Sequence, residues 1–221
     1  SSQELWLTGY KPGPPFNKVS IYVKGAIVSL MLDMTIRLYT GSRKSLDDLM
    51  LILWERIYKR GQGYSKRIIQ EYAEELCGES LEGFFRDYID GTVPVENKLD
   101  ELLKVVGCTL VKSYSVISWE KNYGFKLDVE NKVMIIYPGS PAQTGLSVGD
   151  TILKMNGSVP DVNLETGKVL DLDFIRSGIS GTVKLMQGKT SYFPEYRINF
   201  LESRNEGQNA AFEKWVWGEN Y

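Results

Sequence analysis

The chain has 221 residues, with 26 Lys plus Arg against 28 Asp plus Glu and a formal net charge of -2. Hydrophobic residues make up 43% and charged residues 24%, a globular rather than disordered composition, and the length suits one large domain or two small ones. The near-neutral balance offers no basic surface to nucleic acid or to anionic lipid. The count of zero histidines excludes Ser-His-Asp and Cys-His catalytic sets and any histidine-ligated zinc within this sequence.

The chain starts Ser1-Ser2-Gln3 with no initiator Met, signal peptide or lipidation signal, which reads as a piece cut from something longer. Beyond a stretch rich in Gly and Pro (Gly9, Pro12, Gly13, Pro14, Pro15), polar Ser20, Lys24, Asp33 and Arg37 form a narrow stripe over residues 19–39. Ile27, Val28, Leu30, Met31, Leu32 and Met34 cover the remaining circumference, which predicts a buried, central helix ended by Thr40-Gly41. The longest strongly apolar run without a charge, residues 25–32, covers eight positions. A membrane-spanning helix needs about 20, so none is expected.

Shorter helices with start signals follow. Ser45-Leu46-Asp47-Asp48 resembles a capping box ahead of Leu49, Leu53 and Ile57. Ser65 caps a helix carrying Ile68, Ile69, Tyr72, Ala73 and Leu76, closed by Gly78. Ser80 with Glu82 starts a third, which buries Phe84, Phe85, Tyr88 and Ile89 before Gly91. An amphipathic run over 96–106 ends at Gly107.

After Gly107 the period changes. Short alternating or β-branched runs cover 109–117, 125–129, 133–137, 151–155, 182–186 and 196–200, and Asn156-Gly157 is a hairpin-type turn. A helical stretch is expected around 168–176, ended by Gly178. The fold class is therefore α+β: a helical region over 1–106, a small, partly open β-barrel or sandwich over 107–204, and a tail over 205–221. Cys77 and Cys108 read as free structural thiols, too few for a thiolate metal cage.

The segment from Pro138-Gly139-Ser140-Pro141-Ala142 through Gly145-Leu146 and Gly149-Asp150 to Asn156-Gly157 reads mechanically. A strand ends, Ser140 caps, Pro141 takes the first helical position, Gly145 exits left-handed, and Leu146 tucks into the core. This stretch resembles the signature of bacterial PDZ domains. The resemblance implies that Tyr123, Gly124 and Phe125 form a carboxylate-binding loop and that Leu170 and Phe174 lie on a groove helix. Peptides or protein C-termini would then add as a strand beside Phe125 and Leu127. From the residues alone, Gly124 permits a turn and Phe125 fills a core.

Ile21-Tyr22-Val23-Lys24-Gly25-Ala26 resembles the Tyr-x-Lys-Gly-Ala element of zinc aminopeptidases related to aminopeptidase N. With Ser45-Leu46-Asp47-Asp48, Gly63-Tyr64-Ser65, Phe84-Phe85-Arg86-Asp87-Tyr88, Gly91-Thr92 and Trp215-Val216-Trp217-Gly218, the chain is similar to the glycyl aminopeptidase family. In that family a thermolysin-like catalytic domain precedes a PDZ domain. The resemblance implies the C-terminal part of a peptidase that removes small N-terminal residues such as Gly or Ala, with Tyr22 donating to the oxyanion. On its own, Tyr22 is a helix-end aromatic with a satisfied hydroxyl. The family's His-Glu-x-x-His zinc motif is absent from this sequence, so zinc is expected in the full-length parent, in its missing N-terminal part, and no metal ligand here. A secreted or periplasmic location follows from the resemblance alone.

Overall fold

The computed structural model describes residues 21–218. The Gly/Pro-rich opening stretch, the first two positions of the predicted first helix and residues 219–221 lie outside the described residues. The chain divides into two compact units. Among the described residues, one unit, helical, takes those up to Val111 and from Ile198 onward; the other spans Lys112–Arg197.

In the helical unit, α1 (Ile21–Thr40) is the central element. Met31, Met34 and Ile36 have no exposed surface, and α1 packs against α2 (Leu46–Arg56), α3 (Lys66–Cys77) and α4 (Glu96–Leu103). Two of the predicted start signals operate, whereas at the third the helix begins after Leu81 with no side-chain cap. Ser45 Oγ accepts from the Asp47 amide at 3.2 Å, while the Ser45 amide donates to Asp48 Oδ2 at 2.9 Å. Ser65 Oγ accepts from the Ile68 amide. These bonds satisfy amides that have no partner within the helix.

Two members of the predicted polar stripe on α1 are buried rather than solvated. Arg37 Nε donates to Asp33 Oδ2 at 3.1 Å, and Asp33 Oδ1 accepts from the Leu46 amide at 2.9 Å. The ion pair thus fastens α1 to the first residue of α2. The segment after Ser80 also departs from a plain α-helix: one turn at Glu82–Phe84 widens into a π-helical turn at Phe85–Asp90. Phe84 and Phe85, adjacent in sequence, are both buried there.

Cys77 and Cys108 are buried free thiols in the core of this unit. Burial pushes the Cys77 thiol up to about 11, with a smaller contribution from Glu74. The C-terminal helix α6 (Glu206–Trp217) belongs to the same unit and packs on the 3-10 turn Lys104–Val106.

The second unit is built from small antiparallel sheets around one core, with no closed barrel among the described residues. Strand β2 (Phe125–Leu127) pairs with β3 (Val133–Ile136), and β4 (Thr151–Met155), β5 (Val169–Arg176) and β6 (Ile179–Met186) form a three-stranded sheet in the order β4-β5-β6. Strand β1 (Cys108–Tyr114) pairs with β7 (Pro194–Phe200). The short helix α5 (Ser118–Tyr123) precedes β2. The expected mixture of helices and strands is therefore present.

One predicted element is wrong in kind. In the stretch expected to be helical, 168–176, residues Val169–Arg176 form strand β5. Leu170, Leu172 and Phe174 alternate inward along it while Val169 and Asp171 face out, which is a period of two. Ser177 (φ 50°) and Gly178 (φ 83°) then make a two-residue turn with both φ positive, pairing Arg176 with Ile179. That turn twists in the sense a β-hairpin requires. Gly145 also differs from expectation: its φ is -141°, so it is not left-handed. A Cβ there would collide with the Val183 side chain, so close packing rather than backbone handedness calls for glycine.

Candidate functional site

Two regions carry the residues singled out from the sequence, one in each unit. The first is the beginning of α1. The stretch from Met31 to Arg37 is encased in the helical unit, Ile27, Val28 and Leu30 pack against its core, and the opening turn is largely exposed. Tyr22 is 75% exposed and Val23 55%. Gly25 and Ala26 are exposed as well, and the space where a Gly25 Cβ would sit is open.

Tyr22 therefore sits at the second position of α1 with most of its surface exposed; a phenol can both donate and accept a hydrogen bond. Lys24 is half-buried and donates from Nζ to the Gly91 carbonyl at 3.3 Å, tying the start of α1 to the end of the π-helical turn.

The second region is the predicted peptide groove. Tyr123, Phe125, Leu170 and Phe174 are indeed brought together, but inside the core of the second unit, with Leu127 packed against them. Tyr123 is fully buried, and its hydroxyl donates to the Gly167 carbonyl at 2.6 Å. Burial also raises its phenol above the usual value.

Gly124 ends α5 in the left-handed region (φ 75°), and its amide donates to the Trp119 and Glu120 carbonyls at 3.2 and 3.1 Å. Its own carbonyl accepts from the Tyr137 amide at 2.7 Å and from Ser140 Oγ at 3.3 Å. The Gly124 amide is thus committed to closing a helix and is not available as part of a nest for a terminal carboxylate. Among the described residues no groove helix stands opposite β2: the residues expected to form it are in strand β5. Of the two readings open for Gly124 and Phe125, the turn and the core position are the ones the geometry displays.

No group of three or more His, Cys, Asp or Glu side chains able to hold a metal occurs among the described residues. With no histidine in the sequence, the residues present do not fit a catalytic zinc. No described helix is long and apolar enough to cross a membrane.

The sequence reading missed the role of Asp150. Its carboxylate is 1% exposed and holds the turn after Leu146 by accepting from the Ser147 amide at 2.7 Å and from Arg176. The available signal was an acidic residue after Gly149 with one Arg ending the alternating run of β5.

No family model and no curated protein matches the chain. Among solved structures, the chain is similar to a crystal structure of an aminopeptidase N family protein from Idiomarina loihiensis, with a TM-score of 0.74 and 20% identity. The match covers 96% of this chain and 39% of that one, so the chain spans well under half the length of that protein. At this identity the likeness is one of fold.

Proposed function

We propose that this chain is the C-terminal part of a zinc-dependent aminopeptidase acting on peptides with small N-terminal residues such as Gly or Ala. In this reading the helical unit forms one wall of the catalytic site and Tyr22 contributes to it. The observation that carries the proposal is the fold likeness to an aminopeptidase N family protein along 96% of the chain. The exposed position of Tyr22 on the first half of α1 is consistent with it.

The zinc ligands and the group that activates water would belong to the remainder of the polypeptide, because this chain's donor set does not fit the metal. What Tyr22 would do needs only its own chemistry. A phenol held on a helix would offer one directed O–H to the oxygen on which negative charge develops as the peptide carbonyl becomes tetrahedral. Such a donor is worth about 3 kcal/mol in the transition state.

The test is Tyr22→Phe in the complete natural polypeptide, assayed on glycyl and alanyl amides. Loss of about 100-fold in kcat with KM little changed is expected, since the donor acts on a charge absent from the ground state. An unchanged kcat would overturn the assignment.

A second reading, peptide binding by strand addition, retains one favourable observation. Among the described strands β2 pairs only with β3, which leaves its other edge without a strand partner. An extended peptide could pair there through its backbone. Because the Gly124 amide already caps α5, recognition would not depend on a free C-terminal carboxylate.

A further inference from the structure

The helical unit holds a pocket of about 240 Å³, lined from α1 by Leu30, Asp33 and Arg37, from the start of α2 by Leu46 and Asp47, and from α6 by Trp215. Drug-sized ligands occupy sites of about 300–1,000 Å³. This pocket therefore suits one smaller molecule, and its walls are both apolar and charged.

Arg37 supplies the donors. The residue is 7% exposed, and its Nε donates to Asp33 Oδ2 at 3.1 Å. Among the described residues nothing accepts from Nη1 or Nη2. Neither is among the buried atoms that lack a partner, which are Trp119 Nε1, Arg204 Nη1 and Asn209 Oδ1. The outer edge of the guanidinium thus keeps its small exposed surface at the pocket that Arg37 lines. Free donors on a largely buried guanidinium call for an acceptor, and a planar fork of this kind matches the two oxygens of a carboxylate.

The other charges restrict what can enter. Asp33 is already committed, Oδ2 to Arg37 and Oδ1 to the Leu46 amide, and it balances the Arg37 charge. Asp47 is not. It is exposed, and among the described residues only its amide has a partner, donating to Ser45 Oγ. Its neighbour Asp48 takes both the capping role and the ion pair with Lys44. Asp47 and Arg37 line one pocket without pairing with each other. A simple anion would meet the uncompensated charge of Asp47, and a simple cation would leave the Arg37 donors unmatched. A small molecule carrying both charges satisfies both groups.

We propose that this pocket binds a free α-amino acid with an apolar side chain. Its carboxylate accepts from Arg37 Nη1 and Nη2, its ammonium donates to Asp47, and its side chain lies against Leu30, Leu46 and Trp215. Those three residues are partly buried and packed on the core of the unit, so the apolar wall exists before a ligand arrives. The site does not involve Tyr22 and stands or falls apart from the catalytic reading.

Titration of the full chain with L-leucine, N-acetyl-leucine and leucinamide, followed by two-dimensional NMR, tests the assignment. Trp215→Phe identifies the Trp215 indole resonance, which leucine is expected to shift saturably. N-acetyl-leucine lacks the ammonium and leucinamide the carboxylate, so each should bind at least about tenfold more weakly. Asp47→Asn should weaken leucine about tenfold and leave N-acetyl-leucine unchanged. Arg37→Lys, which keeps a charge beside Asp33 but not the planar fork, should weaken leucine and leave leucinamide unchanged.

Should Arg37→Lys not fold, as its circular dichroism spectrum would show, Asp47→Asn carries the test, because that side chain is exposed. Absence of saturable leucine binding overturns the proposal, as does leucine binding that leaves the Trp215 resonance unmoved. Equal affinity for N-acetyl-leucine or for leucinamide would also overturn it, as would leucine binding unaltered by Asp47→Asn.

Discussion

Arg176 reaches from the end of β5 to hold both oxygens of Asp150, Nε to Oδ1 at 2.8 Å and Nη2 to Oδ2 at 2.7 Å. The same Nη2 also donates to the Gly145 carbonyl at 3.0 Å. One side chain therefore closes the turn between Gly145 and Asp150 onto the three-stranded sheet. The two partners are unequal: the Asp150 side chain is 1% exposed and that of Arg176 44%.

This inequality predicts different costs for removing each partner. Arg176→Met leaves a buried carboxylate without its cation and is expected to destabilise by about 3 kcal/mol, whereas Asp150→Asn frees an Arg that water can reach and costs about 1–2 kcal/mol. Urea unfolding of both variants at neutral pH checks the order. Equal costs would contradict the argument.

The pair also sets an acid dependence. Burial pushes the Asp150 carboxyl up, but hydrogen bonds from Arg176 and the Ser147 amide, with the Arg176 charge, outweigh it and hold the group below its ordinary 3.8. A carboxyl lowered by folding contributes stability that is present above its unfolded value and lost as pH falls through the folded one. The wild-type midpoint is therefore expected to drop below about pH 4, and Arg176→Met should shift the onset of that drop upward.

Gly124 and Ser140 are in contact with no room between them: a Cβ on Gly124 would collide with the Ser140 side chain, and φ at Gly124 is +75°. Gly124→Ala is expected to cost about 2 kcal/mol from left-handed strain and the collision together. Ser140→Gly should recover the steric part, giving a favourable coupling in a double-mutant cycle. Additive losses would show that strain alone is responsible.

The turn between β5 and β6 offers a stabilising substitution. Asn is favoured over Ser at the first position of a two-residue turn with both φ positive, so Ser177→Asn is expected to raise stability by about 0.5 kcal/mol. If residues 168–176 were instead helical, the same change would fall just past a helix end and leave the unfolding midpoint unmoved.

Asp33 should be among the more sensitive positions of α1. Asp33→Ala removes both the counter-ion of Arg37, itself 7% exposed, and the acceptor for the Leu46 amide. A loss of about 3–4 kcal/mol is expected in thermal or urea unfolding. Replacing Asp33 and Arg37 together by Leu and Met should cost less than Asp33→Ala alone, because no unpaired charge stays buried.

The helical half was legible because its signals are local. Ser45 with Asp48, Ser65, and the apolar spacing of α1 each act within a turn or two of chain. What the sequence did not disclose depends on distant partners. Nothing near Asp33 announces that Leu46 will use its carboxylate, and nothing near Asp150 announces Arg176.

Strand β5 is a different kind of miss. Val169 to Arg176 alternates apolar and polar at most positions, and Ser177-Gly178 is a turn dipeptide. The expected place of a groove helix overrode that period. Tyr123, Phe125, Leu170 and Phe174 lie together in one core cluster, and spacing in a sequence does not distinguish a cleft from a core. That distinction rests on Gly124, whose amide is consumed in capping α5.

The passage of α1 from an exposed opening turn to a fully buried stretch has a mechanical consequence. Tyr22 lies nine positions before Met31 in the sequence, which at about 1.5 Å of rise per residue is an arm of about 13 Å. A tilt of only about 4° at the buried end would carry Tyr22 through about 1 Å, a misplacement that costs some enzymes about 100-fold in rate. Repacking around Met31, Met34 or Ile36 would then act as a remote adjustment of where the phenol points. The fulcrum of that lever is Met31, Met34 and Ile36, side chains with no exposed surface.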